Sequence, residues 1–252
     1  MTGLRRWLAL FCLLVLALPA LAKDEIRIGI LAYRPKPQMQ AQWEPLAQAM
    51  NQAMPEYHFS VEIYDLDDLT AAVAARRIDL VLTNPGHYIL MARRSGLSAP
   101  LATISSLEQG VPVSSFGGVI VARAESTDID KLIDIRGKVA AFASFDSLGS
   151  YQMQAFELHL AGLRIPEDLK LLPIGLPQDK VLNAVLEGRA DVGFVRSGVL
   201  EGLAREKKLD LSQFKIINSQ HLPGFPTKVS TRLYPEWPFA AMPHANKNLQ
   251  RE

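Results

Sequence analysis

The chain has 252 residues, with 27 Lys and Arg against 26 Asp and Glu, a formal charge of +1 and 48% apolar residues. That balance offers no basic face for nucleic acid, and the length allows one large core or two small ones. The single cysteine, Cys12, lies in a segment expected to be removed, which leaves no disulfide, thiolate nucleophile or cysteine-ligated metal in the mature protein.

The first 22 residues read as a secretory leader: Arg5 and Arg6 open it, residues 7–18 are apolar, and Ala20-Leu21-Ala22 is a small-x-small cleavage site. Cys12 follows Phe11 rather than a small residue, so it does not read as a lipid-attachment site. Taking Arg5 and Arg6 from the 27 basic residues leaves 25 against 26 acidic ones in the mature chain. A periplasmic location follows, and mature protein beginning at Lys23.

Next comes a series of alternating elements: a strand at 26–31, a helix at about 41–54, a strand at 59–64, a helix at about 67–76, a strand at 80–83 and a helix from about 86. A second series repeats it, with strands at 139–143, 171–174 and 192–195 and helices at about 150–162, 178–187 and from 198. The two are related by an offset of 112 residues, which lays Ala72-Val73 and Asp79 on Ala184-Val185 and Asp191. Short apolar strands alternating with helices predict an α/β fold with two lobes, each a mostly parallel sheet with helices on both faces. Extended connections at 101–125 and after 214 suit strands that cross between lobes. The reading is residues 23–107 plus 223–252 as lobe one and 108–222 as lobe two.

Parallel sheets bind ligands beyond the carboxyl ends of their strands, so the site is expected in a cleft between the lobes. Four loops qualify, at 32–38, 83–88, 144–151 and 195–198. Each leads into a helix whose free N–H groups and partial positive charge suit an anion. Ser144, Ser147, Gly149, Ser150 and Tyr151 make the third loop the richest in donors. Ordinary N-capping explains the same residues equally well. Asn84, His87 and Tyr88 occupy the matching place in lobe one, where Asn84 can bind or cap and Pro85 can open the helix. Arg196, aligned with Asn84 by the offset, is either the cation of the cleft or a solvated surface arginine, and Ser197 follows it. Tyr33 and Phe116 are the best-placed aromatic walls, with core or hinge packing as the other reading. Trp237 reads as a buried anchor for the tail.

Several segments together resemble a known family: Ile28-Gly29-Ile30 with its loop, Arg77-Ile78-Asp79-Leu80-Val81 running into Pro85 and Tyr88, Phe116-Gly117-Gly118-Val119-Ile120-Val121, Gly137-Lys138-Val139-Ala140, the Ser147 loop, and Gly188-Arg189-Ala190-Asp191. The chain is similar to phosphonate/phosphite-type periplasmic binding proteins of the type 2 periplasmic-binding fold, and especially to the sensor domains of tetrathionate-sensor-type histidine kinases. The resemblance implies capture of a small anion, phosphonate- or phosphite-like or a sulfur oxyanion, for ABC-type uptake or for signalling. Its partners would be an ABC permease or a sensor kinase in the inner membrane, with no cofactor, and the protein is expected to be a monomer. The phosphonate binders carry a Ser-Thr-Ser-Gly loop where this chain has Ser147-Leu148-Gly149-Ser150, and only Ser147 matches directly. Backbone N–H groups would then carry more of the binding. The sensor-type chains continue past the equivalent of Trp237-Pro238-Phe239 into a membrane span and signalling modules, so this chain reads either as a free-standing binder or as the sensor half of a longer product.

An exported hydrolase is the competing class. No Gly-x-Ser-x-Gly elbow is present, and the five histidines show no i, i+3 or i+4 pairing for a zinc site. The expectation is a binding protein and not an enzyme.

Overall fold

The computed structural model describes residues 23–245; the expected leader, Cys12 and the residues from Asn246 onward lie outside the described residues. In chain order it forms β1 (Asp24–Leu31), α1 (Lys36–Ala53), β2 (Tyr57–Tyr64), α2 (Leu66–Ala74), β3 (Leu80–Leu82) and α3 (Pro85–Ser95). Short strands follow: β4 (Ala102–Thr103), β5 (Ser106–Glu108), β6 (Val111–Val113), β7 (Ser115–Phe116) and β8 (Gly118–Arg123). The second series is β9 (Val139–Phe142), a π-type turn (Leu148–Gln152) running into α4 (Met153–Leu160), β10 (Lys170–Pro173), α5 (Asp179–Leu186), β11 (Val192–Arg196) and α6 (Val199–Arg205). The chain closes with β12 (Phe214–Ile217), β13 (Tyr234–Pro235) and β14 (Pro238–Ala241).

Two five-stranded sheets result, ordered β2-β1-β3-β14-β4 and β10-β9-β11-β8-β12. In each, three parallel strands are followed by an antiparallel strand next to the third, β14 in one and β8 in the other. The connection from β4 to β8 and the one from β12 to β14 cross between the sheets, and they meet where β7 pairs with β13. The lobe limits at 107/108 and 222/223 remain a proposal, and both fall in these connections. Ser230 and Thr231 are tied to the second sheet through Ser230 N–H to Gly118 O at 2.8 Å and Gly118 N–H to Thr231 Oγ1 at 2.9 Å. Residues 223–231 therefore run along lobe two before the chain returns to lobe one.

The offset of 112 holds at atomic detail. Asp79 Oδ2 accepts from Arg27 N–H at 2.9 Å, and Asp191 Oδ2 accepts from Val139 N–H at 2.8 Å, the residue 112 places on from Arg27. The residue three before each aspartate takes left-handed backbone, Arg76 at φ 54° and Gly188 at φ 74°. A tight turn needs that conformation, which glycine adopts freely and arginine at some cost. The helix expected from about 41 begins instead at Lys36, the counterpart of Leu148, because Pro37 fits a first turn whose N–H has no partner to lose.

Burial follows the strand period of two. In β8, Val119 and Val121 pack with α5 and α6, while Ile120 and Ala122 pack on the opposite face with Leu158 of α4 and Phe194. Both faces of the second sheet are thus covered. The first lobe forms a single core around Ile28, Ile30, Phe59, Leu69 and Leu80.

Candidate functional site

The carboxyl ends of β1, β3, β9 and β11 face each other across a cavity of about 30 Å3, within roughly 400 Å3 of empty space. A water molecule needs about 10–15 Å3 on the smaller measure, so the space suits a very small ligand. The first sheet and its loops contribute Leu31, Ala32, Tyr33, Leu66, Asn84 and Trp237. The second contributes Ala143, Ser144, Ser147, Gly149, Leu176, Gln178 and Arg196, and Phe116 of β7 spans the hinge.

Asn84 caps α3, its Oδ1 accepting from His87 N–H at 2.9 Å, which leaves the amide nitrogen for an acceptor in the cavity. Ser147 does the same on the other side: its Oγ accepts from Ser150 N–H at 3.2 Å, and its hydroxyl proton stays available. Capping and binding, alternatives by composition, are compatible because they use opposite ends of each polar group. A Cβ on Gly149 would come within 2.9 Å of the Phe116 ring and 3.1 Å of Arg196 Cβ, so only glycine lets the π-type turn approach the hinge this closely.

Arg196 is the one charged group among the cavity residues, and an internal carboxylate already holds it. Its guanidinium pairs with Glu236, whose side chain is 1% exposed, and lies 4.8 Å from the Phe116 ring centroid and 5.7 Å from that of Tyr33. Glu236 is held in turn by Trp237 N–H at 3.2 Å. Arg196 Nε is buried without a hydrogen-bond partner. The cavity is therefore close to neutral, with Asn84, Ser144, Ser147 and Gln178 as its polar groups. Arg196 thus lies at the cavity rather than on the solvated surface, with its charge compensated by Glu236.

A second arginine joins the lobes. Arg34, in the loop after β1, donates to both Glu206 carboxylate oxygens at 2.9 and 2.7 Å and lies 3.6 Å from Asp179 Oδ1. Both carboxylates belong to the second lobe. Hydrogen bonds from Lys208, and then the charge of Arg34, hold the Glu206 carboxyl below its usual pKa.

Of the expected residues, the cavity gathers Tyr33, Asn84, Phe116, Ser144, Ser147, Gly149 and Arg196. Five others point elsewhere. His87 is 3% exposed, its ring nitrogens each 2.9 Å from the hydroxyls of Thr70 and Thr83 inside lobe one, and burial pushes its pKa down to about 4. Tyr88 donates to Ser98 O at 2.7 Å. Ser150 is fully buried, accepting from Ala143 N–H and donating to Phe194 O. The Tyr151 ring packs on Phe142 and Phe145. Ser197 Oγ accepts from Gly117 N–H at 3.1 Å, fixing the hinge. His87, Tyr88, Ser150 and Tyr151 lie on helical turns, and Ser197 follows the last residue of β11.

Four contributors went unforeseen: Gln178, Trp237, Glu236 and Arg34. Gln178 and Leu176 follow β10, and Leu66 follows β2, so the loops after all three parallel strands converge rather than two. Arg34 stood beside Tyr33 in a loop already singled out. Nothing local in the sequence marks Glu236. Among the described residues, no three His, Cys, Asp or Glu side chains gather to hold a metal.

Comparison with known proteins agrees with this architecture. Residues 28–252 match a family described as the ABC transporter, phosphonate, periplasmic substrate-binding protein. The chain is 30% identical over 222 residues to the tetrathionate sensor histidine kinase TtrS of Salmonella typhimurium, a match that covers 88% of this chain and 37% of the kinase. It thus spans little more than a third of that relative's length. A binding protein component of an ABC phosphonate transporter from Pseudomonas aeruginosa superposes with a TM-score of 0.70 at 15% identity, covering 91% of this chain and 72% of that one. PhnD1 from Prochlorococcus marinus, solved with methylphosphonate, gives 0.67 at 13% identity over 88% of this chain and 77% of that one. At these identities the two structures share the fold. The match over residues 28–252 shows more: the chain belongs to the phosphonate-type periplasmic substrate-binding proteins, a class that binds small ligands without transforming them.

Proposed function

We propose that the chain captures a small oxyanion between its lobes, outside the cytoplasm, and carries out no chemistry on it. One observation carries the reading: polar donors from both sheets, Asn84 on one side and Ser144, Ser147 and Gln178 on the other, converge on a single cavity. A ligand bridging both favours the closed arrangement, which is how such a fold turns binding into a change of shape. The near-neutral wall selects an anion satisfied by neutral hydrogen bonds, as a phosphonate, phosphite or sulfur oxyanion can be. The leader, with cleavage before Lys23, accounts for export, and the protein acts as a monomer.

Two destinations fit the family, an ABC permease and a sensor kinase. The 30% identity to TtrS over 88% of the chain favours signalling. Thermal-shift screening with methylphosphonate, phosphite, sulfite, thiosulfate and tetrathionate, followed by calorimetry on Asn84→Ala and Ser147→Ala, tests the site. At least one anion should stabilise the protein, and each variant should bind it roughly ten- to a hundredfold more weakly. If no anion stabilises it, or both folded variants bind like the parent, the proposal fails.

A further inference from the structure

The end of lobe one opposite the cleft carries charge that the binding site does not use. Arg76 and Arg77 follow α2, Arg93 and Arg94 end α3, and all four are exposed. None of them forms an ion pair with a described residue, whereas most other described arginines do. Arg76, Arg94 and His244 line one surface hollow there. Of the acids at this end, Asp79 is engaged by Arg27 and lies 3.5 Å from His244, while the exposed Asp24, Glu25 and Glu56 sit toward the β1–β2 edge of the sheet.

Cations at helix C-termini have an ordinary role in offsetting the helix dipole. The second lobe carries fewer of them. The residues 112 places on are Gly188, Arg189, Arg205 and Glu206, and Arg189 is paired with Glu187 at 2.7 Å. Of the four positions, lobe two thus keeps two arginines, one of them paired, and has a glycine and an acid at the other two.

Both ends of the described chain leave from this face. Strand β1 enters at Asp24, and β14, antiparallel to β3, returns past Asp79 to His244 and Ala245. Lys23, exposed just before β1, adds a further cation to this end of the fold.

We infer that the Arg76, Arg77, Arg93 and Arg94 face docks on an anionic phospholipid surface, with the ligand cleft turned away from it. Basic residues near such a surface contribute about fivefold in partitioning each, and the attraction is screened by salt. The test uses the chain from Lys23 to Glu252, which contains both complete sheets and the described core, with folding checked by thermal melting. Co-sedimentation is measured with vesicles of phosphatidylcholine alone and of phosphatidylcholine mixed with phosphatidylglycerol. Binding to the mixed vesicles only, weakened by salt and reduced roughly a hundredfold or more in the quadruple Arg→Gln variant, is expected. The control pair Arg136→Gln and Arg164→Gln, on lobe two, should bind like the parent. Equal binding to both vesicles, parent-like binding by the quadruple variant, or an equal loss in the control would overturn the inference. So would full displacement by inorganic phosphate at constant ionic strength, which would make the arginines a small-anion site.

Discussion

The loops that follow β3 and β11 occupy equivalent places in the two lobes, yet they do opposite work. In lobe one Asn84 caps its helix and turns an uncharged amide to the cavity; in lobe two, at the position 112 residues on, Arg196 stacks on Phe116 and holds Glu236. The neighbouring pair diverges as well: His87 is hydrogen-bonded inside lobe one, while its counterpart Val199 is a core residue. The loops after β1 and β9 show the same pattern. Tyr33 faces the cavity, but its counterpart Phe145 is 51% exposed and stacks edge-on against Phe142 and Tyr151. A duplicated backbone frame fixes where strand ends point and leaves the residues at those ends free to differentiate.

The largest test of that asymmetry is charge removal. Arg196→Ala leaves the Glu236 carboxylate unpaired and buried, which should cost about 3–5 kcal/mol of stability by urea denaturation. Asn84→Ala, its counterpart, removes only a helix cap and should cost about 1 kcal/mol. Similar losses for the two would break the contrast.

His87 gives lobe one a pH dependence that Val199 denies lobe two. Burial lowers its pKa from 6.5 to about 4, so the folded state resists protonation that the unfolded chain accepts. Between those values the unfolded state binds more protons, and stability falls as pH drops from 6.5 toward 4, by up to about 3 kcal/mol. Thermal unfolding across this window should show the fall, and His87→Val should flatten it. An unchanged slope in that variant would place the titration elsewhere.

The aspartates test the likeness between lobes rather than the difference. Asp79→Ala and Asp191→Ala each strand a backbone N–H on the neighbouring strand, and matched losses of about 1–3 kcal/mol are expected by chemical denaturation. A loss confined to one would show that the two turns are not energetically equivalent.

The smallest effect concerns the latch between lobes. Arg34→Gln should leave global stability within about 1 kcal/mol, because its partner Glu206 is partly solvated. It should nonetheless widen the molecule in small-angle scattering without ligand, by releasing lobe one from Glu206. Identical profiles for variant and parent would deny Arg34 that role.

Local pattern determined the frame of this protein. Apolar strands with a period of two, helices between them and the 112-residue offset marked both sheets and the aspartate turns, because these features depend on neighbours within a few residues or on one repeated unit. The same logic located the cavity at the strand ends and identified Tyr33, Asn84, Phe116, Ser144, Ser147, Gly149 and Arg196. Only the tertiary structure decided which way each loop residue turned. His87, Tyr88, Ser150, Tyr151 and Ser197 share loops or helix starts with cavity residues, and a rotation of about 100° per helical residue is enough to send them into the core. It also decided the charge state of the site. Glu236 meets Arg196, and Arg34 meets Glu206, across 40 and 172 residues of sequence, and contacts at such separation are set by packing of the lobes rather than by anything the intervening residues encode.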